Sequence, residues 1–247
     1  MKIRTPSVVL SSLIFLFLLL LWETTATSFI VSKPSEVILS FITILSYPNT
    51  WINILDSFIR VYISLAIAIV VGFAIGILKY FNKTFSDVVD SLVYPTQFIG
   101  AAVLTIIGIV FFGLSNVIPY FIITIVILPN IFITTRLGLD NLRKDLMEYG
   151  KTYSKTKFHM LAYIISPQLI PHVMAGIIRS NAVAWKIVVT AEIFIGASGL
   201  GFMINNYFRL LRIDDLFATV LIMFIVGFTM DRILTMIYNK ILVRYDD

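Results

Sequence analysis

Long apolar runs separated by short charged clusters dominate this sequence. The runs occupy residues 7–22, 57–80, 93–112, 117–135, 168–196 and 216–238. Most of them are close to the roughly 20 residues that an α-helix needs to cross the hydrocarbon core of a bilayer. The pattern therefore predicts an all-α membrane protein with about six transmembrane helices, one for each run.

The composition agrees with a protein embedded in a membrane. Hydrophobic residues make up 59% of the 247 residues and charged residues only 13%, which leaves little room for a soluble domain. A net charge of +5 does not indicate nucleic acid, because the basic residues form short clusters beside the apolar runs. The chain has no cysteine and only two histidines, His159 and His172, so we expect neither a disulfide nor a metal site.

The basic clusters indicate the orientation, since such clusters stay on the cytoplasmic side of a membrane. The clusters are Lys2 with Arg4, Lys79 with Lys83, Arg136 with Arg143 and Lys144, and Lys240 with Arg244. We therefore predict a multi-pass protein of the cell membrane with both termini in the cytoplasm. A signal peptide cleaved near Ala26 is the alternative for the first run, although Trp22 and Glu23 make a poor approach to a cleavage site.

Two regions are expected. Residues 1–55 form an N-terminal helix and an outer segment, and residues 56–247 form a core transmembrane domain with a cytoplasmic coupling loop at residues 138–168. The apolar stretch after Pro34 breaks at Pro48 and is too short to span, so we expect it on the outer surface.

The most polar stretch, residues 145–171, separates the fourth and fifth runs. Asp145 and Glu148 would lie in the first turn of a short helix, where carboxylates suit the helix dipole. One side of that helix carries, at spacings of three and four residues, Leu146, Tyr149, Gly150 and Tyr153. Such a helix suits docking into a groove of a soluble partner, and the alternative is a solvated connection that folds back onto the bundle.

The same stretch resembles the EAA loop, which inner-membrane subunits of binding-protein-dependent ABC importers insert into their ATPase. Glu148, Tyr149 and Gly150 correspond to Glu-Ala-Ala, whereas Ser154 replaces the usual glycine and Ser166-Pro167 replaces Leu-Pro. The resemblance covers nearly the whole chain and is strongest to the nitrate, sulfonate, taurine and thiamine-precursor permeases. Further matching motifs are Ser35-Glu36-Val37, Ser57 with Arg60, Phe112-Gly113, Gly176 with Arg179, Ala184-Trp185, Val188 to Glu192 and Gly199-Leu200-Gly201.

This resemblance implies a type I importer bundle that has no catalytic activity or cofactor of its own. Separate ATPase subunits, which bind ATP and Mg²⁺, would dock on the polar stretch, and a solute-binding protein would deliver a small anionic or heterocyclic solute from outside. The permease itself would be a homodimer in the lipid bilayer. The residues implied in ATPase coupling are Asp145, Leu146, Glu148, Tyr149, Gly150, Tyr153, Ser154, Pro167 and Pro171. If Ser154 adopts the left-handed conformation that glycine prefers, it costs about 1 kcal/mol.

The fifth run is the most polar one, and a helical projection divides its polar residues between two sides. One side carries His172, Arg179, Lys186 and Thr190, and the other carries Asn181, Trp185 and Glu192. Arg179 and Lys186 either line a route for an anion or pair with Glu192, Asp231 or lipid headgroups to fix the helix. The second interpretation is favoured, because the Arg179 motif is shared by permeases for solutes of different charge.

Two further expectations concern the outer side. Gly199 and Gly201 are expected in an outer turn and not in an ATP site, because the segment lacks the lysine of a phosphate-binding loop. Arg60, near the outer end of the second run, is expected to pair with Asp56 one turn earlier.

The sequence therefore predicts the permease subunit of an ATP-driven importer. The alternative is a self-sufficient ion- or proton-coupled transporter, which would require intramembrane carboxylates and an internal repeat, yet only Glu192 lies well inside a run. An intramembrane enzyme is disfavoured, because no metalloprotease, serine-hydrolase or cysteine motif occurs.

Overall fold

The protein is described by a computed structural model covering residues 5–26, 32–81, 89, 91–93, 95–154 and 156–246. Lys2, Arg4 and Lys83, which contribute to the predicted orientation, lie outside these ranges. Every regular element within them is a helix, which confirms the predicted all-α fold. The helices are α1 Thr5–Thr25, α2 Pro34–Leu45, α3 Pro48–Phe81, α4 Ala101–Phe112, α5 Ile118–Asp140, α6 Lys144–Tyr153, α7 Lys157–Met160, α8 Ser166–Ile195, α9 Leu200–Arg209 and α10 Ile213–Asp246, with a π-helical turn, Leu161–Ile165, joining α7 to α8.

Four helical stretches of the described chain are long and apolar enough to cross a bilayer. They are Pro48–Leu78, Ile118–Asp140, Phe158–Ile195 and Ile213–Ile241, and they correspond to the second, fourth, fifth and sixth predicted runs. The first run lies in α1, and the topology of six spans stays a prediction.

The third predicted run is divided and does not form one continuous helix. Gly100 has extended backbone, with φ −65° and ψ 144°, and α4 begins only after it. Just before this point the Phe98 N–H donates to the Pro95 carbonyl at 3.1 Å in a turn. The division leaves α4 with 12 residues, which is too short to cross a bilayer alone.

Helices α3, α5 and α8 form the centre of the bundle. A Cβ added at Gly72 of α3 would lie 3.1 Å from the Cβ of Ile131 on α5. One added at Gly76 would lie 2.6 Å from the Cγ2 of Thr135. The two glycines therefore allow close packing of α3 on α5, as their four-residue spacing predicts.

Short helices cover the end of the bundle at which α8 finishes. Helix α2 packs against α10, and the Ser40 hydroxyl donates to Asp214 at 2.7 Å. Helix α1 is attached through Glu23, whose carboxylate accepts hydrogen bonds from the Ser35 N–H and hydroxyl at 3.2 and 2.8 Å. We call this the α9 end of the bundle, and we call the opposite end, which carries α6, the α6 end.

Candidate functional site

The predicted docking helix exists as α6, which begins at Lys144, one residue earlier than expected. Arg143 precedes it with extended backbone and donates from Nη2 to the Asp145 carboxylate at 2.7 Å. This hydrogen bond holds the pKa of Asp145 below its usual value. The first turn of α6 therefore carries a carboxylate that stays ionised and suits the positive end of the helix dipole.

One side of α6 rests on the chain's own π-helical turn. Gly150 is buried, and a Cβ added there would lie 2.6 Å from the Cδ1 of Ile164. Met147 packs on the same side against the cluster around Leu139 and Ile165. The expectation that Gly150 allows close contact with a partner is therefore wrong, because its small size accommodates Ile164 of this chain.

The other side of α6 is exposed. Tyr149 and Tyr153 are 61% and 67% exposed, and their rings stack with centroids 4.3 Å apart. Leu146 is exposed beside them. We call these three residues the aromatic face of α6. This face is free to contact a partner, and its role in docking stays a prediction.

The residues that follow α6 differ from the expectation. Ser154 has extended backbone with φ −79° and ψ 123°, so the predicted cost of a left-handed serine does not arise. Pro167 and Pro171 lie within α8 and not in the polar loop. The π-helical turn ends two residues before Pro167, and a wider turn relieves the clash between a proline ring and an earlier carbonyl.

A buried ion pair holds the α9 end together. Arg60 of α3 donates from Nη1 to Glu192 Oε1 of α8 at 2.6 Å, and the two side chains are 6% and 0% exposed. The Ser57 hydroxyl lies 2.9 Å from both carboxylate oxygens. The predicted Arg60–Asp56 pair is therefore wrong, because Arg60 points across to α8 instead of along its own helix.

The same cluster fixes the N-terminus of α9. Arg60 donates from its two Nη atoms to the carbonyl and the hydroxyl of Ser198, at 2.8 and 2.7 Å. The first amide groups of a helix have no partner within it. Here the N–H groups donate from Gly199 to Asn53 Oδ1 at 2.7 Å, from Leu200 to Ser57 Oγ at 2.8 Å and from Gly201 to Glu192 Oε2 at 2.9 Å. Side chains of two other helices therefore cap α9.

The two glycines of this turn are required by its geometry. Gly199 has φ +103°, which side chains other than glycine rarely adopt, and an added Cβ would overlap the Glu192 carboxyl group. A Cβ at Gly201 would overlap the Val189 carbonyl. The structure thus places Gly199 at the turn between α8 and α9 and Gly201 in the first turn of α9, while the position of this turn outside the membrane stays a prediction.

Sequence reasoning missed this cluster, although the spacing of its residues in α3 is a signal of it. Asn53, Ser57 and Arg60 follow each other at spacings of four and three, so they share one face of a helix. A polar face on an otherwise apolar helix indicates a buried polar partner, and that partner is Glu192.

The middle of α8 has two different faces, as the helical projection predicts. Asn181 and Trp185 are buried, and the Tyr62 hydroxyl of α3 donates to Asn181 Oδ1 at 3.0 Å. Arg179 and Lys186 are exposed on the other face. The predicted pairing of these cations with Glu192 is not observed, since Arg60 occupies that carboxylate.

Comparison with known sequences gives one consistent result. Residues 68–243 match the family described as binding-protein-dependent transport system inner membrane component. The taurine transport system permease protein of Escherichia coli is 20% identical over 224 residues, covering 87% of this chain and 82% of the relative. The nitrate import permease protein of Synechocystis is 25% identical over 190 residues, covering 77% and 69%. The putative aliphatic sulfonates transport permease protein of Bacillus subtilis is 22% identical over 213 residues, covering 86% and 77%.

Solved structures agree on the fold. A chain of the MetNI methionine ABC transporter in an inward-facing conformation matches with a TM-score of 0.68 at 16% identity, covering 79% of this chain and 99% of the other. A chain of an amino acid ABC transporter matches with a TM-score of 0.65 at 14% identity, covering 87% and 100%. The sequence match over most of the chain, together with four long apolar helices, shows that this protein belongs to the family of binding-protein-dependent transport system inner membrane components and is a multi-pass permease subunit of an ABC importer.

Proposed function

We propose that this permease conducts a small oxyanion across the membrane and is driven by separate ATPase subunits that dock on α6. The observation that carries the proposal is the division of α6 into two sides. One side, at Gly150, lies against the π-helical turn, and the other presents Tyr149 and Tyr153 to a partner. A docking element needs both sides, since it must bind the partner and transmit its movement.

The route of transmission follows from the continuity of the helix. Ile164, which contacts Gly150, lies in the π-helical turn that leads directly into α8. Movement of a docked α6 therefore acts on the long helix that carries the buried Glu192. When two ATPase subunits close on ATP and Mg²⁺, they would bring two such docking helices together and turn the α8 helices as rigid bodies. In this proposal, ATP hydrolysis takes place on the partner.

The solute class is inferred from the relatives. Curated relatives are named for taurine, nitrate, aliphatic sulfonates and bicarbonate, which are all small and carry an anionic oxygen group. We assign a solute of the same class to this chain, delivered by a solute-binding protein at the α9 end. A second copy of this chain would complete the path, and α6 and both termini would lie in the cytoplasm.

The buried ion pair weighs against the alternative of a self-sufficient coupled transporter. Such a transporter needs a membrane carboxylate that exchanges an ion or a proton during the cycle. Glu192 is instead held by Arg60, Ser57 and the Gly201 amide at 2.6 to 2.9 Å. A carboxylate bound in this way serves to fix helices.

The test is recovery of the ATPase with a tagged permease, expressed with its neighbouring reading frames and purified in mild detergent. We expect a nucleotide-binding subunit to copurify, and the double variant Tyr149→Ala/Tyr153→Ala to lose most of it. The matched control is Tyr47→Ala, because Tyr47 is a 53% exposed tyrosine at the α9 end. Purification of the permease alone, with solute uptake that does not require ATP, would overturn the proposal.

A further inference from the structure

One face of α8 stays exposed along the middle of the helix. It carries Ala175, Arg179, Ala182 and Lys186, spaced four, three and four residues apart, so the four side chains follow one line. We call these four residues the cationic stripe. The remainder of the helix packs against α3, α4, α5, α9 and α10.

The stripe lies at membrane depth. At 1.5 Å per residue, Arg179 is about 20 Å from Ser166 and about 24 Å from Ile195 along the helix axis. Lys186 is about 14 Å from Ile195 by the same measure. A hydrocarbon core of about 30 Å therefore includes both cations whether it begins at Ile195 or one or two turns below it.

Neither cation has a carboxylate partner among the residues that the structure describes. The ion pairs found there join other cations, and Glu192 is occupied by Arg60 at 2.6 Å. Cations at this depth face water or another helix, because contact with lipid is costly, and the ends of the helix are too far for both to reach headgroups. The cationic stripe therefore does not face lipid.

We infer that the cationic stripe lines a water-filled solute path between this chain and a second copy, where Arg179 and Lys186 bind an oxyanion in passage. The inference rests on the proposed function, since it requires a dimeric permease. A two-fold axis would place the same stripe on both sides of the path, so the path would contain two copies of each cation. Guanidinium and ammonium groups donate charge-assisted hydrogen bonds to anionic oxygens, and the two alanines leave room beside them.

Lys186 is the residue that we assign to selection for negative charge. Lys186 lies about 14 Å from Ile195 along the helix axis and Arg179 about 24 Å, so a solute delivered at the α9 end meets Lys186 first. A compact ammonium group in a narrow path concentrates anions and repels cations through its field. The same field gives the inference a measurable signature that does not depend on knowing the solute.

The test uses single cysteines, because the chain contains no native cysteine. Ala182→Cys places a thiol between the two cations. In the permease–ATPase complex reconstituted in liposomes with ATP, we expect this thiol to react about tenfold faster with an anionic methanethiosulfonate than with a cationic one, after correction for both rates with a free thiol. Adding Lys186→Gln should reduce the preference several-fold, and adding Lys186→Arg should preserve it. The matched control is Phe224→Cys, which lies on the exposed surface of α10 within the candidate span Ile213–Ile241. We expect lipid to surround this thiol, so it should react with neither reagent.

The outcomes separate this inference from the proposed function. If the wild-type permease recovers its ATPase but Ala182→Cys reacts with neither reagent, the stripe is covered by protein and the inference alone is wrong. If the preference for the anionic reagent persists in Lys186→Gln and is lost only in Arg179→Gln/Lys186→Gln, the assignment of selection to Lys186 is wrong. A preference that persists in the double variant would overturn the whole inference, because charges outside the stripe would then be responsible. If no ATPase is recovered, the proposed function fails first.

Discussion

The two ends of the bundle carry ion pairs of nearly equal length and very different surroundings. At the α9 end, Arg60 and Glu192 pair at 2.6 Å with side chains that are 6% and 0% exposed. At the α6 end, Arg143 and Asp145 pair at 2.7 Å with side chains that are 68% and 64% exposed. Water can replace a lost partner only in the second case, so distance alone says little about what each pair contributes.

The difference in burial between the two ion pairs matches the contacts that each end makes. The α9 end joins two helices and caps a third through buried groups that have no replacement partner. The α6 end rests on an apolar contact at Gly150 and leaves its aromatic face uncovered. We therefore expect the α9 end to control the stability of this chain and the α6 end to control its association with the ATPase.

The strongest test removes the buried carboxylate. Glu192→Ala leaves Arg60 buried without a counterion, and loss of one member of a buried pair costs about 3–5 kcal/mol. For a chain of this size we expect the Tm in detergent to fall by about 10 °C. The matched control is Asp145→Ala, which breaks the exposed pair and should leave the Tm almost unchanged in scanning fluorimetry. Equal shifts for the two variants would remove the distinction between the ends.

A smaller loss of thermal stability is expected from a substitution in the turn that the buried pair supports. Gly199→Ala introduces a Cβ at φ +103° that overlaps Glu192, and residues in such strained conformations cost about 1–3 kcal/mol. Gly100→Ala is the control, because a Cβ there meets nothing within 4 Å. Thermal unfolding should separate the two variants by several degrees. Similar melting curves would indicate that the turn rearranges freely.

At the α6 end, Gly150→Trp should abolish ATPase recovery while changing the stability of the bundle by about 1 kcal/mol or less. The large ring cannot share the site with Ile164, so α6 would leave the π-helical turn. Gly150→Ala should weaken ATPase recovery, because its Cβ would lie 2.6 Å from the Cδ1 of Ile164, and Gly150→Ala/Ile164→Ala, which provides space for that Cβ, should restore it. Normal ATPase recovery by Gly150→Trp would contradict the docking assignment.

The smallest effect concerns the exposed pair and depends on pH. The hydrogen bond from Arg143 lowers the pKa of Asp145 from its ordinary value of 3.8. A carboxyl group whose pKa is lower in the folded state stabilises the fold above its unfolded pKa and loses this contribution as the pH falls through the folded pKa. The Tm difference between wild type and Asp145→Asn should therefore be slight at pH 7, begin to shrink near pH 3.8 and disappear only below the lower pKa of the folded state. A difference that grows on acidification would reverse the assignment.

Much of the fold was predictable because a bilayer requires long apolar helices. The second, fourth, fifth and sixth runs correspond to such helices, and Gly72 and Gly76 pack against α5 as their spacing indicates. The third run was predicted wrongly as one continuous helix. Its hydrophobicity indicates a span, but a turn after Pro95 and the extended backbone at Gly100 interrupt the helix, and hydropathy does not record that interruption.

The site was less predictable, because its contacts join distant parts of the chain. Arg60 and Glu192 are 132 residues apart, while Asp56 lies one turn from Arg60 and offered a nearer partner. Whether the Gly150 side of α6 faces this chain or a partner depends on where the π-helical turn lies against α6. The periodicity of a ten-residue helix does not contain that information. Local spacing shows which residues share a face of a helix, and only the packing of helices decides their partners.

The continuous helix Phe158–Ile195 has one more consequence. Its 38 residues form a rod about 57 Å long that contacts α6 near one tip and carries Glu192 near the other. If the tilt of this rod differs between two states, ligands at either tip change the same equilibrium. Thermodynamic linkage then requires that the effect be reciprocal. If binding of the ATPase changes the affinity for the solute-binding protein by some factor, binding of the solute-binding protein must change the affinity for the ATPase by the same factor.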